Sequence, residues 1–129
     1  PNAFEGTVTR IELPSDIDNG ISDDDFTRGQ SFYDLMIKAD PSNPNVAYVG
    51  GIDLFRTDNG GDSNGSSNPW SQISHWYGMS GLQFAHADQH SSFISSADSN
   101  KILFGNDGGI FYSDNQGTNL GSRNYNYHT

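Results

Sequence analysis

Two stretches of this sequence follow one plan, and together they leave few folds open. Residues 46–63 read VAYVGGIDLFRTDNGGDS, and residues 102–119 read ILFGNDGGIFYSDNQGTN. Each has an apolar run, a short glycine-containing break, a second apolar run and a polar turn. Thr57 answers Ser113, Asn59 answers Asn115 and Gly61 answers Gly117, at a constant spacing of 113 − 57 = 56 residues. These residue types suit a reversal of the chain. An Asx side chain accepts backbone N–H groups, and glycine takes the positive φ of a tight turn. A strand–strand–turn unit that returns at a fixed spacing points to a repeat architecture.

The rest of the chain reads in the same register. Residues 1–14 form an extended segment anchored by Phe4, Val8, Ile11 and Leu13, with partial alternation over Gly6–Glu12 and a stop at Pro14. Residues 31–40 (SFYDLMIKAD) predict a strand whose apolar side is Phe32, Leu35 and Ile37. The prolines and Asx residues of 40–45 predict a turn. Trp70–Ser74 reads as an outer strand set behind the small-residue insertion 64–69, in which Asn64-Gly65-Ser66 forms a glycosylation sequon. In the second unit, Phe93 and Ile94 answer Leu35 to Ile37, and a turn shorter by two residues follows at 97–100. The polar, aromatic tail 119–129 reads as an outer strand or a linker. No helical periodicity appears, so the expected class is all-β.

Composition narrows the function classes. Hydrophobic residues make up 33% of the 129-residue chain, which is thin for a self-contained core, while 12% aromatics argue against a disordered chain. The formal net charge is −10 with six scattered Lys and Arg, which disfavours nucleic acid and anionic membrane surfaces. No apolar run is long enough to cross a membrane as a helix. There is no cysteine, which rules out disulfides and thiolate metal sites. The first residue is Pro1 rather than Met, which reads as a processed or excised piece.

Thr57-Asp58-Asn59-Gly60-Gly61-Asp62-Ser63 and Ser113-Asp114-Asn115-Gln116-Gly117-Thr118 resemble the Asp-box of bacterial neuraminidase repeats. Asn64 stands where that pattern carries Trp after the first copy, and Trp70 fills the aromatic role beyond the insertion. The wider strings DDDFTRGQSFYDL (23–35), NPNVAYVGGIDLFR (43–56), HADQH (86–90) and GNDGGIFYS (105–113) look like secreted sortilin-like and xyloglucanase-like propellers of Bacteroidetes surface proteins. The resemblance implies a fragment of a β-propeller, about two blades of four-stranded antiparallel sheet with Asp-box turns. It also implies an extracellular or outer-surface location. The turns themselves lie away from catalytic groups in such families, so no catalytic residue carries over.

Three clusters are candidates for chemistry. On a strand, His86, Asp88 and His90 share one face, a candidate ligand or metal triad, against the alternative that polar side chains here tie neighbouring blades together. Asp53 and Asp107, beside the glycines of each unit, are candidate channel carboxylates for glycoside cleavage, against plain turn capping. Asp16, Asp18, Asp23, Asp24 and Asp25 form an acidic loop with the oxygen chemistry of a calcium site, although EF-hand spacing fails there. His75, Trp76 and Tyr77 offer flat faces for sugar stacking or a loop anchor.

The expected organisation is an N-terminal strand and acidic loop (1–30), a first blade (31–80) and an incomplete second blade (81–129). The expected function is a non-catalytic surface module for protein or glycan binding and assembly, with a glycoside-hydrolase fragment and a metal-dependent site as alternatives. A calcium ion is the candidate cofactor. Two blades leave open edges and apolar faces, so the expected partners are further blades of a parent chain, other copies or partner chains, or a polysaccharide.

Overall fold

The computed structural model describes residues 10–62, 68–79 and 81–125, and among them there is no helix. Ten strands form three sheets. The first sheet joins β1 (Met36–Ala39), β2 (Ala47–Gly50), β3 (Leu54–Thr57) and β4 (Ser71–Gln72) in sequence order, all antiparallel. Two short strands, β5 (Ser74–His75) and β6 (Gln83–Phe84), pair in parallel between the larger sheets in the chain. The second four-stranded sheet joins β7 (Gln89–Ile94), β8 (Ile102–Asn106), β9 (Gly109–Ser113) and β10 (Gly121–Ser122), again antiparallel. The all-β expectation therefore holds; of the outer strand expected at Trp70–Ser74 only Ser71–Gln72 pairs with the first sheet, and of the two readings of the tail, outer strand or linker, the strand is present at Gly121–Ser122.

Register shows how closely the two sheets match. Ala39 pairs with Ala47, which pairs with Thr57; Ile94 pairs with Ile102, which pairs with Ser113. The spacing is thus 102 − 47 = 55 residues through the first two strands and 113 − 57 = 56 after the central hairpin. The second hairpin is longer by one residue, so the 56-residue offset holds only from β3 and β9 onward. The two first turns are equal in span, since 47 − 39 and 102 − 94 are both 8. The shorter second turn expected from sequence is not there, and Phe93 corresponds to Lys38 rather than to Leu35 or Ile37.

The turns after β3 and β9 share a hydrogen-bond plan. Thr57 Oγ1 accepts from the backbone N–H of Asn59 and Gly61, and Ser113 Oγ accepts from Asn115 and Gly117, at 2.8–3.4 Å. Each hydroxyl donates in turn to the Asn side-chain oxygen, at 2.7 and 3.0 Å. Gly61 and Gly117 sit at φ of +78° and +87°, where a side chain is disfavoured. This is why both turns need hydroxyl, Asx and glycine in that order.

The main core lies between the two sheets. Met36, Tyr48 and Leu54 from one face of the first sheet pack with Ile94, Ile102, Phe104 and Phe111 from one face of the second, and Ala85 joins them. Tyr48 and Phe104 meet edge to face at 5.8 Å, and the Tyr48 hydroxyl donates to the Gln116 carbonyl. Gln89, fully buried, ties the sheets at one end. Its backbone N–H donates to the Gly51 carbonyl at 2.8 Å, its amide donates to His86 O, and it accepts from Asn106. At the other end Asp40 accepts from Ser42 and, across the gap, from Ser99 at 2.9 Å.

A second cluster covers the opposite face of the first sheet: Val49 and Phe55 pack with Phe26 and Trp70. The cover comes from the N-terminal segment, held by Trp70 Nε1 to Glu12 O (2.8 Å) and Asn68 to Leu13 O (2.9 Å). Of the strand expected over Gly6–Glu12, residues 6–9 lie outside the described part, and 10–12 form no strand. The sequon at 64–66 also lies outside it. The phase expected for residues 31–40 is reversed. Asp34, Met36 and Asp40 are buried, while Phe32, Leu35 and Ile37 are 89, 55 and 72% exposed. Residues 31–34 turn rather than extend, so pairing starts only at Met36, and the neighbours in the sheet, not the apolar count, choose the inward face.

Candidate functional site

The starts of β1 and β7 and the hairpins β2–β3 and β8–β9 all emerge at one end of the two sheets. Two polar clusters form there, one per sheet, and they collect most of the residues singled out from sequence.

The first cluster surrounds Asp18. Arg28, at a left-handed φ of +51°, donates to Asp16 through Nε and Nη2 (3.0 and 2.8 Å) and to Asp18 through Nη2 (2.7 Å). His75 Nε2 lies 3.1 Å from Asp18 Oδ1, and the Tyr77 hydroxyl donates to the same oxygen. Burial works against the Asp18 charge, but bonds from Arg28, His75 and Tyr77 outweigh it and hold its carboxyl below the usual range. His75 is fully buried and packs edge to face on Tyr77 at 4.0 Å, so this stretch is a loop anchor with only Trp76 and Tyr77 facing solvent. Asp53, on the β2–β3 hairpin, is fully buried beside this network. Ser74 Oγ and Gln72 Nε2 donate to it at 3.3 and 3.2 Å. Burial pushes its carboxyl up to about 7.

The acidic loop therefore divides. Asp16 and Asp18 serve Arg28, whereas Asp23, Asp24 and Asp25 accept from Ser15, Ser22 and Thr27 respectively, with Asp25 also capping Gly29 N–H. The five carboxylates expected as a calcium loop are not gathered around a common point.

The second cluster surrounds Asp107, on the β8–β9 hairpin. His90 Nε2 lies 2.6 Å from Asp107 Oδ1, and the Tyr33 hydroxyl donates to both carboxylate oxygens at 3.0 Å. Tyr33 and His90 stack edge to face at 4.9 Å. The bond from His90 is the main reason the Asp107 carboxyl is held low, and Tyr33 adds to it. Next to them, Asp34 is fully buried, and neither of its oxygens has a hydrogen-bond partner. Burial pushes its carboxyl up to about 6, and the charges of Asp88 and Asp107 push the same way. Sequence reasoning passed over Asp34 and Tyr33. The signal was there, an Asp two residues before Met36, but it was masked by the apolar residues on either side.

His86, Asp88 and His90 do not form the expected common face. Asp88 sits at φ +66°, outside strand geometry, and β7 begins at Gln89 with an irregular register to Ser91. Among the described residues no three His, Cys, Asp or Glu groups are placed to hold a metal ion. The inter-sheet tether falls on Gln89, inside the same HADQH string. Asp53 and Asp107 belong to different hydrogen-bond networks, Asp53 to that of Ser74 and Gln72 and Asp107 to that of His90 and Tyr33.

Comparison with protein-family models, curated proteins and solved structures returns no match for this chain.

Proposed function

We propose that the chain is two successive blades of a β-propeller and serves as a non-catalytic module for binding and assembly, of the secreted or cell-surface kind. One observation carries this reading. By register, Tyr48 and Leu54 of the first sheet correspond to Leu103 and Ile110 of the second, and Lys38 corresponds to Phe93. Tyr48 and Leu54 are fully buried against the second sheet, whereas Phe93, Leu103 and Ile110 are 58, 38 and 46% exposed. The second sheet thus turns outward the same face by which the first sheet is packed. Face-to-face stacking of equivalent sheets can be continued from there, and an apolar face of this kind calls for a further sheet. Half-exposed Trp76 and Tyr77 at the loop end are suited to sugar surfaces, which supports a glycan among the ligands.

The test is the mass of the native particle by light scattering, with mass spectrometry of its chains. Particles larger than the 14.1 kDa chain, reduced to that mass by Leu103→Asp or Ile110→Asp with the fold intact, are the expected result. A lone 14.1 kDa monomer that unfolds cooperatively and binds no hydrophobic dye would sink the proposal.

A second reading, a fragment of a glycoside hydrolase, has Asp53 in its favour. A carboxyl held protonated near neutral pH is what a general acid needs. Its burial, and the absence of Asp107 from its hydrogen-bond network, weigh against it. Sugar release by a longer chain containing these blades, abolished by Asp53→Ala, would establish it.

A further inference from the structure

The corner at the starts of β1 and β7 has a shortage of hydrogen-bond donors that goes beyond the assembly reading and does not depend on it. Asp88 and Asp107 lie near enough to Asp34 there for their charges to push its carboxyl up. The donors at hand, the Tyr33 hydroxyl and His90 Nε2, are both directed to Asp107. Asp34 is fully buried and neither oxygen is bonded, and Asp88 has no hydrogen bond among the described residues. Buried polar atoms in native proteins are nearly always satisfied, so the unpartnered Asp34 carboxylate leaves a negative charge here that a cation from outside would offset.

We propose that Tyr33, Asp34, Asp88, His90 and Asp107 form a binding site for an organic cation, the ammonium or guanidinium group of an amine ligand or of a partner's lysine or arginine side chain. The class follows from the geometry. A metal ion needs its ligands to converge on one point, and no three such groups do so among the described residues. An ammonium or guanidinium group carries several N–H donors pointing in different directions, and it serves carboxylates that do not converge. Asp107 is 36% exposed at its side chain, so the ligand engages there and at Asp88, with Asp34 as the charge behind them. Tyr33, 51% exposed, presents an aromatic ring at the site, which favours a cation further. The chain's net charge of −10 draws cations towards it.

Binding is linked to protons. A cation favours ionised Asp34, whose carboxyl is held up near 6, so affinity falls as the pH drops through that value. The other titratable groups facing Asp34 and Asp107 are Asp88, His90, His86 and Tyr33.

The experiment titrates the whole chain with methylguanidinium and with n-butylammonium, following the side-chain NMR signals of Tyr33 and His90, with n-butanol and sodium chloride as controls. Saturable shifts with both cations and none with the controls are expected. Asp88→Asn should weaken binding about fivefold, the size of one partly exposed charge pair. Asp34→Asn should flatten the pH dependence. Should Asp34→Asn fail to fold, Asp88→Asn and Asp107→Asn carry the test at exposed positions. An arginine-containing tetrapeptide binding more tightly than methylguanidinium assigns the site to a partner's side chain, and equal affinity assigns it to a free amine. Shifts matched by sodium chloride, no saturation, or unchanged affinity in both Asp88→Asn and Asp107→Asn would overturn the proposal.

Discussion

The two four-stranded sheets share a topology and a register but not an environment. The first is covered on both faces: Tyr48 and Leu54 lie against the second sheet, and Val49 and Phe55 lie under Phe26 and Trp70. Among the described residues the second is covered on one face only, and its other face leaves Phe93, Leu103 and Ile110 in solvent. Equivalent strands therefore differ in what a side chain contributes. Burial is decided by what lies opposite a face, and here a stretch without a regular strand, residues 10–34, does for the first sheet what nothing described does for the second.

The largest expected difference tests this directly. Phe55→Ala and Phe104→Ala remove fully buried rings, one from each sheet, and should each lower the urea-unfolding free energy by about 3–5 kcal/mol. Phe93→Ala removes a ring of the same size from the open face and should cost no more than about 0.5 kcal/mol in the dispersed chain. A large loss at Phe93 would mean that the outer face is already packed in solution.

The hairpin carboxyls offer a second contrast, in pH. Asp53 has a folded carboxyl raised to about 7 against an unfolded value near 3.8, so the folded state holds its proton longer. Its contribution to stability declines as pH rises from the unfolded value to the folded one, by up to about 4 kcal/mol. Asp107 is shifted the other way, so its stabilisation is present above the unfolded value and is lost as pH falls through its lowered folded value. Denaturant midpoints between pH 4 and 8 should show Asp53→Asn removing the decline towards neutral pH. Asp107→Asn should instead diminish the loss in acid, which appears when the midpoints are extended below pH 3.8. Identical pH profiles for wild type and Asp53→Asn would show that this carboxyl is ionised and solvated.

The smallest contrast concerns two glycines at equivalent register positions, Gly50 and Gly105. A Cβ on Gly50 would lie 2.5 Å from Gln89 Cβ, inside the packed seam between the sheets. A Cβ on Gly105 would meet only the Ser91 hydroxyl, at 2.6 Å, and that side chain can rotate away on the exposed face. Gly50→Ala should cost about 1–3 kcal/mol, the usual range for overpacking, and Gly105→Ala clearly less. Equal costs in thermal unfolding would show that the seam is looser than its contacts indicate.

Much of the local structure could be read without coordinates. A turn capped by Thr57 or Ser113, with Asn59 or Asn115 and a positive-φ glycine, is satisfied within a few residues, so its chemistry stands in the string itself. The same holds for the short strands between such turns and for the absence of helical periodicity. The candidate residues were legible as types but not as neighbours. Asp18 meets Arg28, His75 and Tyr77, and Asp107 meets Tyr33 and His90 at separations of 74 and 17 residues. The phase of β1 was not legible either, because apolar Phe32, Leu35 and Ile37 outnumber the inward Asp34 and Met36.

What the sequence determined alone was the repeat, its turns and its all-β class, because hydrogen bonds between near neighbours and φ preferences act over a few residues. The tertiary structure alone decided which face of each sheet is buried, that Gln89 rather than a histidine ties the sheets, and that Asp34 lies buried without a partner. Those outcomes depend on which surfaces meet across the fold, and a side chain's neighbour there is set by packing between distant segments, not by its place in the chain.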